Sequence, residues 1–153
     1  MTSTTPSARR RARELVLQGL YQRQLSANAD AAIEQQLLEH DEDDAADRAY
    51  LVELWRGVTS NYEALAEMFA PFSSRAPGEL SPIERSIVAI AAWELAHRAD
   101  IPYKAVINEA IDLAKSYGGT DGHRFVNGVL DKLAARVRDA EIAALAREAG
   151  SNR

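Results

Sequence analysis

The stretch LSPIERSIVAIAAWELA, from Leu80 to Ala96, decides the fold because it contains a clear helix start followed by an apolar helix. Ser81 is a favoured N-cap residue, Pro82 suits the first helical position, and Glu84 stands where the second half of a capping box belongs. The residues that follow are apolar on nearly every side of the predicted helix, a pattern typical of a helix enclosed by others. We therefore predict that the helix beginning at Pro82 is the central and most buried element.

Helical periodicity continues on both sides of this stretch and predicts an all-α protein. No segment alternates between apolar and polar residues as a half-buried strand would. At 153 residues the chain is long enough for one domain with a substantial core. The predicted helices number about seven, and they are approximately 7–26, 30–40, 46–70, 82–99, 102–117, the segment that follows Thr120, and a terminal helix from Asp139.

The composition narrows the class of protein. The chain carries 18 Lys+Arg against 23 Asp+Glu and has no cysteine, which excludes disulfides, thiolate metal sites and cysteine nucleophiles. No apolar run reaches the roughly 18 residues of a membrane span. The basic N-terminus is not followed by the apolar segment of a signal peptide. We predict a cytoplasmic protein that makes no use of a membrane.

No arrangement of residues predicts catalysis, a cofactor or a metal ion. Glu94 and His97, one helical turn apart, resemble half of a carboxylate-bridged metal site, but no second such pair accompanies them. We interpret them as a pair on the helix surface. The glycines near Gly118 do not follow a strand, so they match neither a P-loop nor a dinucleotide-binding motif. The sequence therefore predicts a protein that is not an enzyme.

The first predicted helix begins with the densest cationic cluster of the chain, within ARRRARELVLQGLY from Ala8 to Tyr21. Cations are disfavoured at a helix N-terminus, so the helix itself does not explain the cluster. Arg10, Arg13 and Tyr21 fall along one stripe of the helix, and arginine and tyrosine can bind phosphates and stack on unpaired bases. A solvated charge run, with Tyr21 packed into the core, fits the same residues. The spacing alone leaves both interpretations open.

A second candidate surface is GGTDGHRF, from Gly118 to Phe125. A helix N-terminus after a glycine-rich turn exposes backbone N–H groups that can hold a phosphate. Arg124 adds positive charge and Phe125 a stacking face. The alternative is structural, with Asp121 as an N-cap and Phe125 in the core.

Small or polar residues also interrupt two apolar helical runs, at Asn108-Glu109 and at Asn127-Gly128. Buried polar groups need partners, so we interpret these residues as contacts between crossing helices. Gly128 would allow such helices to approach closely.

These segments together resemble the NusB family of bacterial antitermination factors. RRRARELVLQGLY is similar to that family's arginine-rich first helix, and LSPIERSIVAIAAWEL to the entry of its central helix. IPYKAVINEAIDLAKSYGGTDGHRFVNGVLDKL resembles its most distinctive segment. The similarity covers roughly Ser7 to Leu133, which is most of the chain.

The resemblance implies an all-α fold of two small helical bundles and binding of the boxA element in ribosomal RNA transcripts. It implies NusE, a small-subunit ribosomal protein, as the direct partner, and RNA polymerase, NusA and NusG as indirect ones. It places Glu84 on the side that meets NusE. The residues that match the RNA-facing positions are Arg9, Arg10, Arg11, Arg13, Tyr21, Asp121, Arg124 and Phe125.

One relative gives an alternative, because the N-terminal domain of an rRNA cytosine methyltransferase also resembles this family. The chain has no glycine motif for S-adenosylmethionine, so we expect a stand-alone factor, with a related RNA- or protein-binding module as the alternative. We divide the chain into a flexible N-terminus (1–6), the NusB-like RNA-binding domain (7–138) and a terminal helix with a polar tail (139–153). Neither that tail nor the acidic run from Glu39 to Asp47 is assigned a role.

Overall fold

A computed structural model of the chain describes residues 6–41, 45–73 and 81–151. Within these ranges the chain folds into eight α-helices and one short 3-10 turn, and it forms no strand, so the all-α prediction is confirmed. The helices are α1 (Pro6–Leu25), α2 (Asp30–Glu39), α3 (Arg48–Ser60), α4 (Tyr62–Phe69), α5 (Pro82–His97), α6 (Tyr103–Tyr117), α7 (Gly122–Val137) and α8 (Asp139–Ser151), and the 3-10 turn spans Ala70–Phe72.

Helix α5 starts as its sequence predicts and lies at the centre of the molecule. The Ser81 hydroxyl accepts a hydrogen bond from the Glu84 amide at 3.1 Å, and the Glu84 carboxylate accepts one from the Ser81 amide at 3.2 Å. Every residue from Ser86 to Leu95 is buried. Because α5 contacts α1, α3, α4, α6 and α7, it is the shared element of the fold.

The other helices form two small bundles around α5. Helix α1 packs against α2 and α3 on one side, and α6 and α7 pack against each other on the other side. One continuous hydrophobic core joins the two groups. Gly57 lets α3 approach α5 closely, since a Cβ atom there would lie 2.3 Å from the Trp93 indole.

The predicted helix over 46–70 is two helices, α3 and α4, and this accounts for the count of eight instead of seven. The Thr59 hydroxyl donates to the Trp55 carbonyl at 2.8 Å, and the Asn61 side-chain amide donates to the Gly57 carbonyl at 2.7 Å. Such side chains offer the backbone an alternative to continued helical bonding. Apolar periodicity runs through the break unchanged, so it did not reveal the break.

Helix α8 is joined to the centre of the fold through Arg138, which separates it from α7. The buried Arg138 guanidinium donates to the carbonyl oxygens of Leu95, Arg98 and Ile101 at 2.8, 2.9 and 3.0 Å. It also forms an ion pair with Glu141. The bond to Leu95 satisfies a carbonyl that the end of α5 leaves open, and the other two join Arg138 to the turn that follows α5. The first segment, 1–6, lies outside the described residues except for Pro6, which opens α1, and so does the tail at 152–153.

Candidate nucleic-acid interface

Arg13 lies inside the protein and not on its surface. Only 5% of the residue is exposed, and its guanidinium contacts the buried Glu94 carboxylate through Nε at 3.0 Å and a terminal nitrogen at 2.9 Å. The Tyr50 hydroxyl donates to the same carboxylate. Burial lowers the pKa of Arg13, but the charge and hydrogen bonds of Glu94 outweigh it and raise the pKa above its ordinary value. We call Arg13, Tyr50 and Glu94 the Glu94 cluster.

The Glu94 cluster corrects our interpretation of Glu94 and His97 as a surface pair. Glu94 is 1% exposed, whereas His97 is exposed and stacks on Trp93 at 5.6 Å between ring centroids. A buried carboxylate requires a charged or hydrogen-bonding partner, and here helix α1 supplies it. Among the residues that the structure describes, no group of three or more potential ligands could hold a metal ion.

Arg9 and Arg10 are reachable from solvent, but each already has neighbours. The Arg9 guanidinium stacks over the Tyr50 ring at 4.6 Å and lies 4.0 Å from the Asp47 carboxylate. Arg10 is half exposed and donates to both Glu109 and Asp112 at 3.0 Å, and hydrogen bonding to Glu109 and its charge raise the pKa of Arg10. Arg10 is therefore held by two acids, and Arg9 lies beside one.

The predicted stripe along α1 is not a continuous exposed face. Tyr21 is 39% exposed at one end and Arg10 is exposed at the other, but Arg13 and Leu17 between them are buried. Arg11 is partly exposed. A rise of about 1.5 Å per helical residue puts Arg10 and Tyr21 roughly 16 Å apart along α1. Of the predicted RNA-facing residues on α1, the arginines that reach solvent are thus confined to its first turns, with Tyr21 separate from them.

The second predicted surface forms an open groove of about 380 Å³ at the start of α7. Arg124 has 79% of its side chain exposed, and Phe125 is partly buried against the core. Asp121 occupies the N-cap position without capping through its side chain, which instead lies 4.0 Å from Arg124 and is largely exposed. We call this the α7 groove, and its lining residues are Phe72, Asp121, Arg124, Phe125, Gly128, Val129 and Lys132.

Among the charged and aromatic residues that line the α7 groove, the sequence reasoning missed Lys132 and Phe72. Lys132 lies one helical turn after Gly128 and two turns after Arg124, so the helical spacing of Arg124, Gly128 and Lys132 was the signal for it. Phe72 comes from the 3-10 turn after α4, and only the tertiary structure brings it there.

The polar interruptions in α6 and α7 fit our interpretation only in part. Glu109 does join two helices, because it accepts from Arg10 across the α1–α6 contact. Asn108 is exposed, however, and Gly128 is exposed with open space where a Cβ would point. The prediction of close helix packing at Gly128 is therefore wrong, and the glycine leaves the α7 groove open.

Glu84 is buried, and its carboxylate completes the capping box of α5. It also defines the neighbouring start of α7, since a Cβ atom on Gly122 would lie 2.5 Å from a Glu84 oxygen. A side chain on residue 122 would require the Glu84 carboxylate to shift from its position in the capping box. The sequence did not reveal that this carboxylate is covered.

The ends of three helices meet near these residues. The Gln24 side-chain amide donates to the Ser86 hydroxyl at 2.6 Å, which joins the end of α1 to the start of α5. Glu84 and Gly122 join the start of α5 to the start of α7. Tyr21 lies one turn before Gln24, so it occupies the same end of the molecule as the α7 groove.

Comparison with known proteins finds relatives that match most of the chain. The sequence profile of the NusB family matches residues 10–135. The transcription antitermination protein NusB of Aromatoleum aromaticum is 55% identical over 141 residues, which is 92% of this chain and 97% of the relative. The protein of the same name from Azoarcus sp. is 56% identical over 138 residues, 90% of this chain and 89% of the relative.

A solved structure gives the same result for the fold. T. maritima NusB has a TM-score of 0.71 and 32% identity, and the match covers 86% of this chain and 92% of that one.

No helix within the described ranges is both long and apolar enough to cross a membrane. The relatives are named as transcription antitermination proteins and not as enzymes, in agreement with the prediction that the chain does not catalyse a reaction. The chain therefore belongs to the NusB family of transcription antitermination proteins.

Proposed function

We propose that the chain is an antitermination factor that binds the boxA element of ribosomal RNA transcripts together with NusE. Bound to both, it joins RNA polymerase, NusA and NusG in the cytoplasm and keeps ribosomal RNA transcription processive. Family membership supports a role in antitermination. We propose boxA as the RNA and NusE as the partner because the arginine-rich helix and the segment around Phe125 resemble those of the NusB family.

The observation that carries the proposal is the α7 groove. Arg124 extends into solvent beside the partly buried Phe125, and Lys132 adds a second cation two turns further along α7. Single-stranded RNA is bound by combining cations for the phosphates with aromatic faces for the bases. We assign Arg124 to a phosphate and Phe125 to a base, with Asp121 as a hydrogen-bond acceptor at the rim of the groove.

Helix α1 supplies the second part of the proposed RNA surface. Tyr21 offers a partly exposed ring at the end of the molecule that holds the α7 groove. Arg9, Arg10 and Arg11 offer charge roughly 16 Å away along the helix. An RNA strand that spans both parts would contact phosphates at its two ends and bases between them.

The proposed NusE side lies near the start of α5. Glu84 is buried there, so we assign it to shaping that surface through the capping box and through its contact with Gly122. Direct contact with NusE would then fall to the exposed residues that surround it.

Measuring boxA affinity with and without NusE tests this function. We expect the chain alone to bind a boxA oligonucleotide more tightly than a scrambled one, and NusE to increase the affinity further. Equal, salt-sensitive binding to both oligonucleotides would contradict boxA recognition. Binding only to an acidic protein would favour the alternative, a protein-binding module. Arg10 already pairs with two carboxylates of this chain, Glu109 and Asp112, and could pair with those of a partner in the same way.

Replacing Arg124 with Ala is expected to flatten the salt dependence of RNA binding. Loss of one phosphate contact lowers the slope of log affinity against log salt by roughly 0.7 for single strands. Arg136→Ala is the matched control, because Arg136 is an exposed arginine on the same helix but lines a different groove, beside Met68. An equal change of slope in both variants would show a general charge effect in place of a contact.

Replacing Asp112 with Asn is expected to tighten RNA binding. Asp112 is half exposed and holds Arg10 at 3.0 Å, so its carboxylate competes with phosphate for the same guanidinium. Exposed ion pairs contribute about 0.2–1 kcal/mol, so we expect up to about a fivefold gain in affinity. Glu34→Gln, which removes the acid of an Arg56 ion pair between α2 and α3, is the control. Unchanged affinity in the Asp112 variant would show that Asp112 does not compete with RNA for Arg10, which Glu109 still holds.

A further inference from the structure

Arg13 belongs to the arginine cluster by sequence, but its surroundings differ from those of its neighbours. Its guanidinium is buried between α1 and α5, and two of its nitrogens already contact the Glu94 carboxylate. An RNA phosphate would have to displace a buried carboxylate to reach it. Displacement would leave Glu94 charged and unpaired inside the core, which is strongly unfavourable.

From this geometry we infer that Arg13 is a positioning residue, which sets the exposed arginines of α1 in place and does not itself contact RNA. The inference rests on the proposed function and assigns a different task to a residue that the family resemblance places among the RNA-facing positions. It concerns how α1 is held, which the identity of the RNA does not affect.

Glu94 connects three helices in this arrangement. It lies on α5 and accepts hydrogen bonds from Arg13 on α1 and from the Tyr50 hydroxyl on α3. All three residues are buried, and burial together with the adjacent Glu94 carboxylate raises the pKa of the Tyr50 hydroxyl. The phenol therefore stays protonated and continues to donate to Glu94. A carboxylate with donors from two other helices fixes their separation and their rotation.

Tyr50 connects the buried Glu94 carboxylate to arginines nearer the surface. Its ring lies under the Arg9 guanidinium at 4.6 Å and under the Arg98 guanidinium at 5.1 Å. Arg9 thus takes its place from a ring whose own hydroxyl is held by Glu94. Arg10 follows Arg9 on the same helical turn, so a rotation of α1 would move both arginines away from any phosphates they bind.

Replacing Glu94 with Gln separates the two possible tasks of Arg13, because they predict opposite results. The substitution keeps the shape of the side chain, removes its negative charge and leaves Arg13 with a weaker acceptor. If Arg13 bound RNA directly, releasing it from Glu94 would leave affinity unchanged or increase it. If Arg13 positions α1, the loosened helix binds RNA less tightly, although Glu94 itself cannot touch RNA from inside the core.

The experiment measures boxA affinity and its salt dependence for the full chain and for Glu94→Gln, at a temperature where circular dichroism shows native helix content. We expect affinity to fall about 2- to 30-fold, the range that coupling through packed networks reaches. The salt slope should stay unchanged because no phosphate contact is lost. Hydrogen exchange of the α1 amides should speed up in the variant, an observation that needs no RNA.

Glu53→Gln is the matched control, since Glu53 is an exposed acid that pairs with Arg98 at 3.0 Å. We expect it to leave both affinity and exchange of α1 unchanged. Tyr50→Phe provides a second variant if Glu94→Gln does not fold, because it keeps the ion pair of Arg13 and removes only the hydroxyl. Its affinity should fall about twofold, with an unchanged salt slope.

Two outcomes overturn the inference. A folded Glu94→Gln protein that binds boxA as tightly as the unaltered chain, or more tightly, shows that α1 needs no positioning by this pair. A salt slope that flattens in Arg13→Gln/Glu94→Gln relative to Glu94→Gln shows a direct phosphate contact of Arg13. Failure of the unaltered chain to prefer boxA is a different result, because it contradicts the proposed function before any variant is compared.

Discussion

Replacing Arg138 with Met is expected to lower the free energy of unfolding by about 3–5 kcal/mol. The guanidinium donates to carbonyl oxygens of Leu95, Arg98 and Ile101, and it also pairs with Glu141. Hydrogen bonds to charged groups contribute about 1.5–3 kcal/mol each, although the contributions do not add fully. Met fills part of the volume but removes the Arg138 donor from the carbonyls of Leu95 and Ile101, while the Arg98 carbonyl keeps its bond from the Ile101 amide. Since a domain is stable by about 5–15 kcal/mol, the loss is a large share.

Urea unfolding followed by circular dichroism measures this change. Arg136→Met is the matched control, because Arg136 lies two positions earlier on α7 and is exposed. We expect the control to change stability by less than about 0.5 kcal/mol, as exposed substitutions usually do. Similar urea midpoints for the two variants would show that water replaces the Arg138 donors and that the hydrogen bonds of its guanidinium contribute little to stability.

Replacing Phe125 with Ala is expected to weaken boxA binding by about 1–3 kcal/mol, the usual contribution of one stacked base. Phe125 lies at the edge of the core and lines the α7 groove, so part of its ring remains available to a base. The loss should be independent of salt because no charge is removed. We would measure RNA affinity at several salt concentrations, below the melting temperature of the variant. The salt dependence separates the contribution of base stacking to affinity from that of charge.

Met68→Ala is the control for this substitution, since Met68 is also a partly buried apolar residue and lines a separate groove between α4 and α7. Both variants lose apolar contact area, so both should lose some stability. Only Phe125→Ala should lose RNA affinity. A protein that unfolds readily but binds boxA normally while folded would assign Phe125 to the core and leave stacking to other rings.

The sequence predicts the start of α5 well because its determinants are local. Ser81, Pro82 and Glu84 lie within one turn, and each acts on backbone groups of that same turn. The apolar run behind them predicts burial for a similar reason, since a helix without a polar face has to be covered by other elements. The resemblance to a known family adds the arrangement of the helices around α5.

The sequence does not predict the division of the arginines between core and surface. Arg10 and Arg13 are one turn apart and chemically identical, yet one is half exposed and the other is buried. The difference comes from Glu94, which is 81 positions away from Arg13. Helical spacing reports which residues share a face, but the neighbour that covers that face is known only once the helices are packed.

For the candidate site, the prediction is better for α7 than for α1. Asp121, Arg124 and Phe125 border one groove, as expected for residues within a single turn. Phe72 joins them through tertiary structure. For Glu84 the sequence suggests more exposure than the structure has. An acid at a helix start is usually exposed, but Glu84 is buried beside the start of α7.

The bond between Arg13 and Glu94 has a consequence for the order in which the chain can fold during synthesis. Helix α1 is made before α5, and the partner of its buried arginine is made 81 positions after that arginine. At about 5–20 residues per second the ribosome needs roughly 4–16 seconds to reach it. During that interval the nascent N-terminal helix carries an unmatched cation on the face that later becomes interior. Its final docking therefore follows the emergence of α5 from the ribosome.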